Sequence, residues 1–221
     1  MRNEQGFASP FTSEDDAARA CALEITGLLE QASRSRGRSV LAVCGGRSAA
    51  LVLRHLPVDD ATIVIATDER WLPFDSPDRN DQLLCEHFGE PSVIRLPFTG
   101  DIDEDAKRWA RNLWSLGTPD VALLSMAEDG HVASLFPRHD TLNSSAPLVI
   151  EHESPKPPLV RVSFSIAMIR CIPNRLLMAI GNEKASMIDQ LRQGHDVPAT
   201  RIKPTRWYLD NAASSMNGGG R

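Results

Sequence analysis

The sequence predicts an α/β protein built on an open, mostly parallel, Rossmann-like sheet with helices on both faces. Three observations lead there. Short apolar runs at Ser39 to Cys44, Thr62 to Ala66 and Val121 to Leu124 have the length of buried strands. The first two are followed by a glycine turn or polar loop and then by a segment of helical composition. Strands that alternate with helices return by crossover, which makes parallel pairing the default and places helices on both faces. With 221 residues and no internal repeat or long low-complexity segment, one domain spanning residues 1–221 is expected.

Each element has its own signal. Ser13 precedes Glu14, Asp15 and Asp16, an N-cap hydroxyl and three carboxylates at the positive end of a helix dipole, and apolar residues recur from Cys21 to Ala32 before Gly37 stops the helix. Ser39 to Cys44 is a strand closed by Gly45 and Gly46, and Ser48 to Leu56 is helical. Thr62 to Ala66 is a strand followed by a polar loop, and Asp81 to Phe88 a helix. Ser92 to Arg95 is a short strand, Glu104 to Leu116 a helix and Val121 to Leu124 a buried strand. After the proline-rich loop Ser154 to Pro158, Val160, Val162 and Phe164 alternate with Arg161 and Ser163, which predicts another strand of the same sheet. Arg175 to Ile180 continues that sheet, Glu183 to Arg192 is helical and Trp207 to Ala213 reads as a closing helix. The tail from Ser214 to Arg221 has too little to pack and is expected to fray.

Composition excludes several classes of partner. A net charge of -5 gives no basic field for gathering nucleic acid. No window approaches the roughly 20 apolar residues of a membrane span, and the N-terminus has no apolar signal-peptide core. Cys21, Cys44, Cys85 and Cys171 are scattered without a C-x-x-C pair, as expected for buried, reduced thiols in a cytoplasmic protein. No pair of histidines or cysteines has ligand spacing, so no metal is expected.

Four segments can carry chemistry, each with a plainer alternative. Gly45-Gly46-Arg47-Ser48 joins a strand to a helix, where backbone amides and a helix N-terminus favour an anion, although a simple turn has the same composition. Asp68-Glu69-Arg70-Trp71-Leu72-Pro73 follows a buried strand, and Arg70 could fork onto a phosphate or a developing oxyanion or form a surface ion pair. Asp129-Gly130-His131 sits after another core strand, where a carboxylate can set the tautomer of a histidine that takes a proton from water. Arg161 and Lys184 are cations on a strand and at a strand-to-helix junction. Lys184 near a helix start opposes the dipole unless an anion lies there.

Taken together, from about Ser39 to Ala213, these segments resemble the 6-phosphogluconolactonase family, which shares its fold with the glucosamine-6-phosphate deaminases. The likeness rests on Gly45-Gly46-Arg47-Ser48, on Asp68-Glu69-Arg70-x-x-Pro73 with Asn80 downstream, on the run from Asp129 to Pro137, and on Gly181-x-x-Lys184. It implies hydrolysis of a phosphorylated sugar lactone, 6-phospho-D-glucono-1,5-lactone, without metal or organic cofactor. His131 is then the general base, Asp129 its orienting partner and Arg70 a stabiliser of negative charge. Gly45, Gly46, Arg47, Ser48, Asp68, Asn80, Arg161 and Lys184 would hold the substrate and its phosphate. The resemblance carries no oligomeric state.

Two features qualify the resemblance. The deaminase branch resembles Asp-Gly-His-Ile-Ala-Phe-Asn-Glu-Pro, with a glutamate five residues after the histidine; Phe136 stands there, and Arg70 stands where deaminases usually have tyrosine. Lactonases usually read Gly-Met-Gly-x-Asp-Gly-His, whereas this chain has Ser125 and Ala127 at the first two glycines. A positive φ at Ala127 would cost about 1–2 kcal/mol. Ala49 replaces the usual proline after the glycine turn, and Arg79 before Asn80 is either a phosphate ligand or solvated. Those departures keep a sugar-phosphate-binding relative with weak or no lactonase activity as the alternative, beside a deaminase-like isomerase.

Overall fold

The computed structural model describes residues 9–57 and 59–215. Its main sheet contains β1 (Ser39–Val43), β2 (Thr62–Ala66), β4 (Val93–Ile94), β5 (Val121–Ser125), β8 (Asn174–Ala179) and β9 (Arg206–Leu209), in the spatial order β4-β2-β1-β5-β8-β9. Every pairing in it is parallel. β1 and β5 are buried along almost their whole length, as expected for strands covered on both faces. The chain runs outward from β1 through β2 to β4, then returns to β5 and runs the other way. The topological switch therefore lies between β1 and β5, where open α/β sheets leave a crevice at the strands' carboxyl ends.

The helices follow from their caps and apolar faces. α1 (Glu14–Arg36) starts at Ser13, whose hydroxyl accepts the Asp16 N–H, and ends at Gly37 with φ +77°. Its buried face, from Ala17 to Ala32, packs on β1, β9 and α2 (Arg47–Leu53). α3 (Asn80–Phe88) lies against β2, and α4 (Ile102–Leu116) presents the fully buried Trp109 to Phe164, ring centroids 6.1 Å apart. The shorter helices are α5 (Ile166–Cys171), α6 (Ala185–Arg192), α7 (Pro198–Arg201) and α8 (Asn211–Ser214). Among the described residues no helix is long and apolar enough to cross a membrane.

Several sequence expectations need correction. The strand expected at Leu159 to Ser165 does not join the main sheet: β7 (Arg161–Phe164) forms a separate antiparallel sheet with β3 (Asp68–Arg70) and β6 (Leu148–Glu151). β2 already has β1 and β4 on its two edges, so the chain turns away at Thr67 and pairs elsewhere. The Thr67 N–H donates to Val43 O on one side, and its carbonyl accepts the Phe164 N–H on the other. The expected helix at Trp207 to Ala213 is mostly strand: β9 pairs with β8, and only Asn211–Ser214 is helical, capped by Asp210. Three consecutive buried bulky residues, Trp207, Tyr208 and Leu209, suit a sheet edge covered on both faces better than one helix face. Cys21 and Cys44 are buried as expected, but Cys171 is exposed. Of the tail expected to fray, Ser214 ends α8 and residues 216–221 lie outside the described residues.

β3 is held by one carboxylate. Side chains alternate along a strand, so Asp68 and Arg70 share a face while Glu69 points the other way. Glu69 Oε1 accepts the N–H groups of Arg70 and Asn80, each at 2.7 Å, and Oε2 accepts that of Asp81 at 2.8 Å. α3 has no capping side chain at Arg79, and Glu69 fills that role from the neighbouring strand. Arg79 is neither a phosphate ligand nor solvated: its guanidinium is completely buried, pairs with Asp81 and donates to the carbonyls of Leu72 and Leu96. Burial and the Asp81 charge push the Glu69 carboxyl up, against the opposing pull of Arg79 and the amides. Replacing Glu69 with Ala strands three main-chain donors beside this buried charge cluster. The expected loss is about 2–4 kcal/mol, read from the urea midpoint at constant m-value.

Candidate active site

The strand ends and the second sheet enclose two adjoining clefts. The inner one, about 240 Å³, lies over the β1/β5 switch and is lined by Gly45, Gly46, Arg47, Ser48, Asp68, Arg70, Asn80, His131, Arg161 and Lys184. The outer one, about 480 Å³, shares Arg70, Ala127, His131, Arg161 and Lys184 with it and adds Asp129, Glu128, Phe136 and the loop Pro155 to Pro157. Every residue that the resemblance assigns to the site thus borders one cleft or the other, whereas Arg79 borders neither.

The glycine turn is shaped by contact as well as conformation. A Cβ on Gly45 would stand 1.9 Å from Asn80 Oδ1, so only glycine lets Asn80 lie against the turn while its Nδ2 donates to Asp68 O at 2.8 Å. Gly46 has φ +89° and precedes α2 without a capping side chain, which leaves the first-turn amides available to an anion. Ser48 is in that turn. The Arg47 guanidinium is committed outward, to Glu14 and, at 3.7 Å, to Glu183.

Cations gather on the opposite wall. Arg70 in β3 and Arg161 in β7 stand directly across from each other in the antiparallel register, an arrangement that repels unless a negative charge lies nearby. Arg70 donates to Asp78 O, but its buried Nε has no hydrogen-bond partner among the described residues. Arg161 is buried, donates to the carbonyls of Pro158 and Lys156, and lies 5.7 Å from the centre of the Phe136 ring. Burial, with the neighbouring Arg70 charge, lowers the pKa of Arg161. Lys184 is largely enclosed, with Glu183 at 3.8 Å. Asp68, also buried, accepts the Ser134 hydroxyl at 2.6 Å.

The Asp129 to His131 loop is a tight reversal. Ala127 donates to His131 O and accepts from Gly130 N–H, each at 3.0 Å. Gly130 has φ +83°, and a Cβ there would meet Val197 at 2.7 Å. Ala127 is not among the residues with positive φ, so the strain expected at that position does not arise. It falls instead on Ala133, with φ +53° at the floor of the inner cleft, for about 1–2 kcal/mol. Asp129 Oδ1 accepts both the His131 main-chain N–H at 3.1 Å and Nδ1 at 2.7 Å. In the neutral imidazole that contact places the proton on Nδ1 and the lone pair on Nε2. Burial works to raise the Asp129 carboxyl, but the hydrogen bonds and charge of His131 outweigh it and hold the group at about 2. The Phe136 ring lies 4.7 Å from the imidazole and limits its rotation.

Sequence reasoning missed Ser134, Ala133 and Lys156. Ser134 is in the same run as His131, and its signal was adjacency alone. Lys156 is in a loop recognised only by its prolines.

Comparison with known proteins bears on the family and the fold. The family profile described as glucosamine-6-phosphate isomerases/6-phosphogluconolactonase matches residues 12–211. The 6-phosphogluconolactonase of Streptomyces coelicolor is 30% identical, with 90% of each chain covered. The solved 6-phosphogluconolactonase of Trypanosoma brucei superposes with a TM-score of 0.78 at 22% identity, covering 94% of this chain and 97% of that one. A monomeric glucosamine-6-phosphate deaminase superposes with a TM-score of 0.81 at 18% identity, covering 95% and 99%, so the fold alone does not separate the two chemistries.

The Asp129 contact makes a pH-dependent prediction. Its folded pKa of about 2 lies below the ordinary 3.8, so the stabilisation it contributes is complete above about pH 4 and is lost as pH falls through 2. The stability difference between the native protein and an Asp129→Asn variant should therefore narrow between pH 4 and pH 2, as followed by denaturant midpoints. A constant difference across that range would mean that the carboxylate does not depend on His131.

Proposed function

The chain belongs to the family of glucosamine-6-phosphate isomerases and 6-phosphogluconolactonases and is a lactone hydrolase that opens 6-phosphogluconolactone in the pentose phosphate pathway, and from that premise we propose that His131 is its general base. The observation that carries this reading is the Nδ1 contact to Asp129, which in the neutral imidazole directs the proton to Nδ1 and the lone pair to Nε2, in a residue that borders both clefts. Nε2 takes a proton from water as the water oxygen bonds to C1 and the carbonyl electrons move onto oxygen. As the tetrahedral intermediate collapses, the C1–ring oxygen bond breaks and the imidazolium returns its proton to the ring oxygen. The new carboxylic acid then ionises to solvent. Asp129 acts throughout by stabilising the imidazolium and holding its orientation.

The charge that develops on the C1 oxygen is met by Arg70, whose buried Nε has no hydrogen-bond partner among the described residues. The phosphate is assigned to the Gly45 to Ser48 turn with Lys184 and Arg161, where glycine backbone and cations line the same inner cleft. Asp68 and Asn80 offer an acceptor and an amide to sugar hydroxyls. Phe136 argues against deamination: an aromatic ring packs on the imidazole where the deaminase pattern has a carboxyl group. The free, unpaired cysteines support a cytoplasmic setting for the reaction.

Replacing His131 with Ala should lower kcat for 6-phosphogluconolactone by about 10²–10⁴-fold after subtraction of spontaneous hydrolysis, with KM changed only a few-fold. Continuous titration of released acid measures this directly. Full turnover in that variant would remove His131 from the reaction.

A further inference from the structure

We propose that the outer cleft is a carboxylate subsite, in which Lys156 binds the C1 carboxylate formed by lactone opening. The inference rests on the reading above that phosphate occupies the inner cleft and C1 faces His131. His131 borders both clefts, so a ligand anchored by its phosphate in the inner one presents its C1 oxygens towards the outer one. Those oxygens are neutral in the substrate and anionic in the product.

The outer cleft is charged for that change. Arg70, Lys156, Arg161 and Lys184 line it, against only Glu128 and Asp129, and the Asp129 carboxylate is already engaged by His131. Arg161 is spent largely on the loop itself, with Nε on Pro158 O at 3.0 Å and Nη2 on Lys156 O at 2.8 Å. Ser154 Oγ donates to the same Lys156 carbonyl at 3.0 Å, and the Ser154 N–H donates to Leu159 O at 3.1 Å. The main chain at Lys156 is thus tied down from two sides. Its side chain is exposed and makes no hydrogen bond or ion pair with any described residue. A cation on a fixed backbone, without a partner among the described residues and lining the cleft towards which the C1 oxygens are directed, has the properties of a carboxylate ligand and not of a structural ion pair.

Two ligands that differ only at C1 test the assignment: 6-phosphogluconate, and glucitol 6-phosphate, which carries a hydroxymethyl group in place of the carboxylate. Calorimetric titration of the full chain should show tighter binding of 6-phosphogluconate. Lys156→Met should weaken 6-phosphogluconate about tenfold and leave glucitol 6-phosphate within twofold, and Lys156→Arg should restore the difference. Equal weakening of both ligands, or no change in either, overturns the proposal. If the unaltered protein binds neither ligand, the phosphate reading itself fails and the subsite falls with it. If it binds both equally, the phosphate reading stands and the carboxylate subsite alone is rejected.

Discussion

Three main-chain amides converge on the Glu69 carboxylate, and both walls of the cleft take their positions from that convergence. One amide belongs to Arg70, so the strand that carries Asp68 and Arg70 is fixed at its far end. The other two open α3, so Asn80 is fixed at the position where it meets Gly45. The Asp-Glu-Arg triplet therefore divides its work by strand alternation: outer members face the cleft, and the middle one faces the helix. A buried acid is costly on its own. Here it is matched by amide donors and by Arg79, which is itself closed off by Asp81 and two carbonyls.

The opposite wall has the reverse problem, an excess of positive charge. Arg70 and Arg161 face each other across an antiparallel pair, Lys184 is enclosed nearby, and Arg161 is already destabilised as a cation by burial. The fold tolerates this because Arg161 has two carbonyl acceptors and the Phe136 ring face. A dianion bound there, as proposed above for the substrate phosphate, would relieve the remaining repulsion. Stability and ligand affinity are therefore set against each other on this wall, which is the ordinary condition of a site prepared for charge.

Much of this was legible in the sequence, and the reasons for the exceptions are physical. The parallel strands announce themselves as apolar runs because both faces are buried, and the chemistry sits in the turns that follow them, as the switch-point rule requires. The small antiparallel sheet was read wrongly. β3 is a triplet of charged residues with no hydrophobic pattern, and its membership depends on β2 already having two neighbours. Arg79 was read as a ligand or a surface charge because spacing cannot show that Asp81 and two carbonyls close around it. Trp207 to Leu209 carried aromatic strand propensity, but a short run beside the Asn211–Ser214 turn also has helical spacing, and pairing with β8 decided the matter. Most of the residues singled out for the site follow the carboxyl ends of strands, and strand ends are what the sequence marks most clearly.

The two replaced glycines illustrate what a motif constrains and what it merely accompanies. Gly130 meets a double requirement, a left-handed backbone and the close approach of Val197, and both would resist any side chain. Ala127 meets neither: its backbone bonds bracket the reversal without positive φ, so a Cβ there introduces no backbone strain. Ser125 ends β5 in register with Met178 and needs no unusual conformation either. Both side chains nonetheless line the inner cleft, and Ser125 adds a hydroxyl beside it. Any effect they have therefore falls on the lining of the inner cleft and not on the backbone of the loop that carries His131. His131 and Asp129 keep their places because the loop depends on Gly130, and Gly130 is retained.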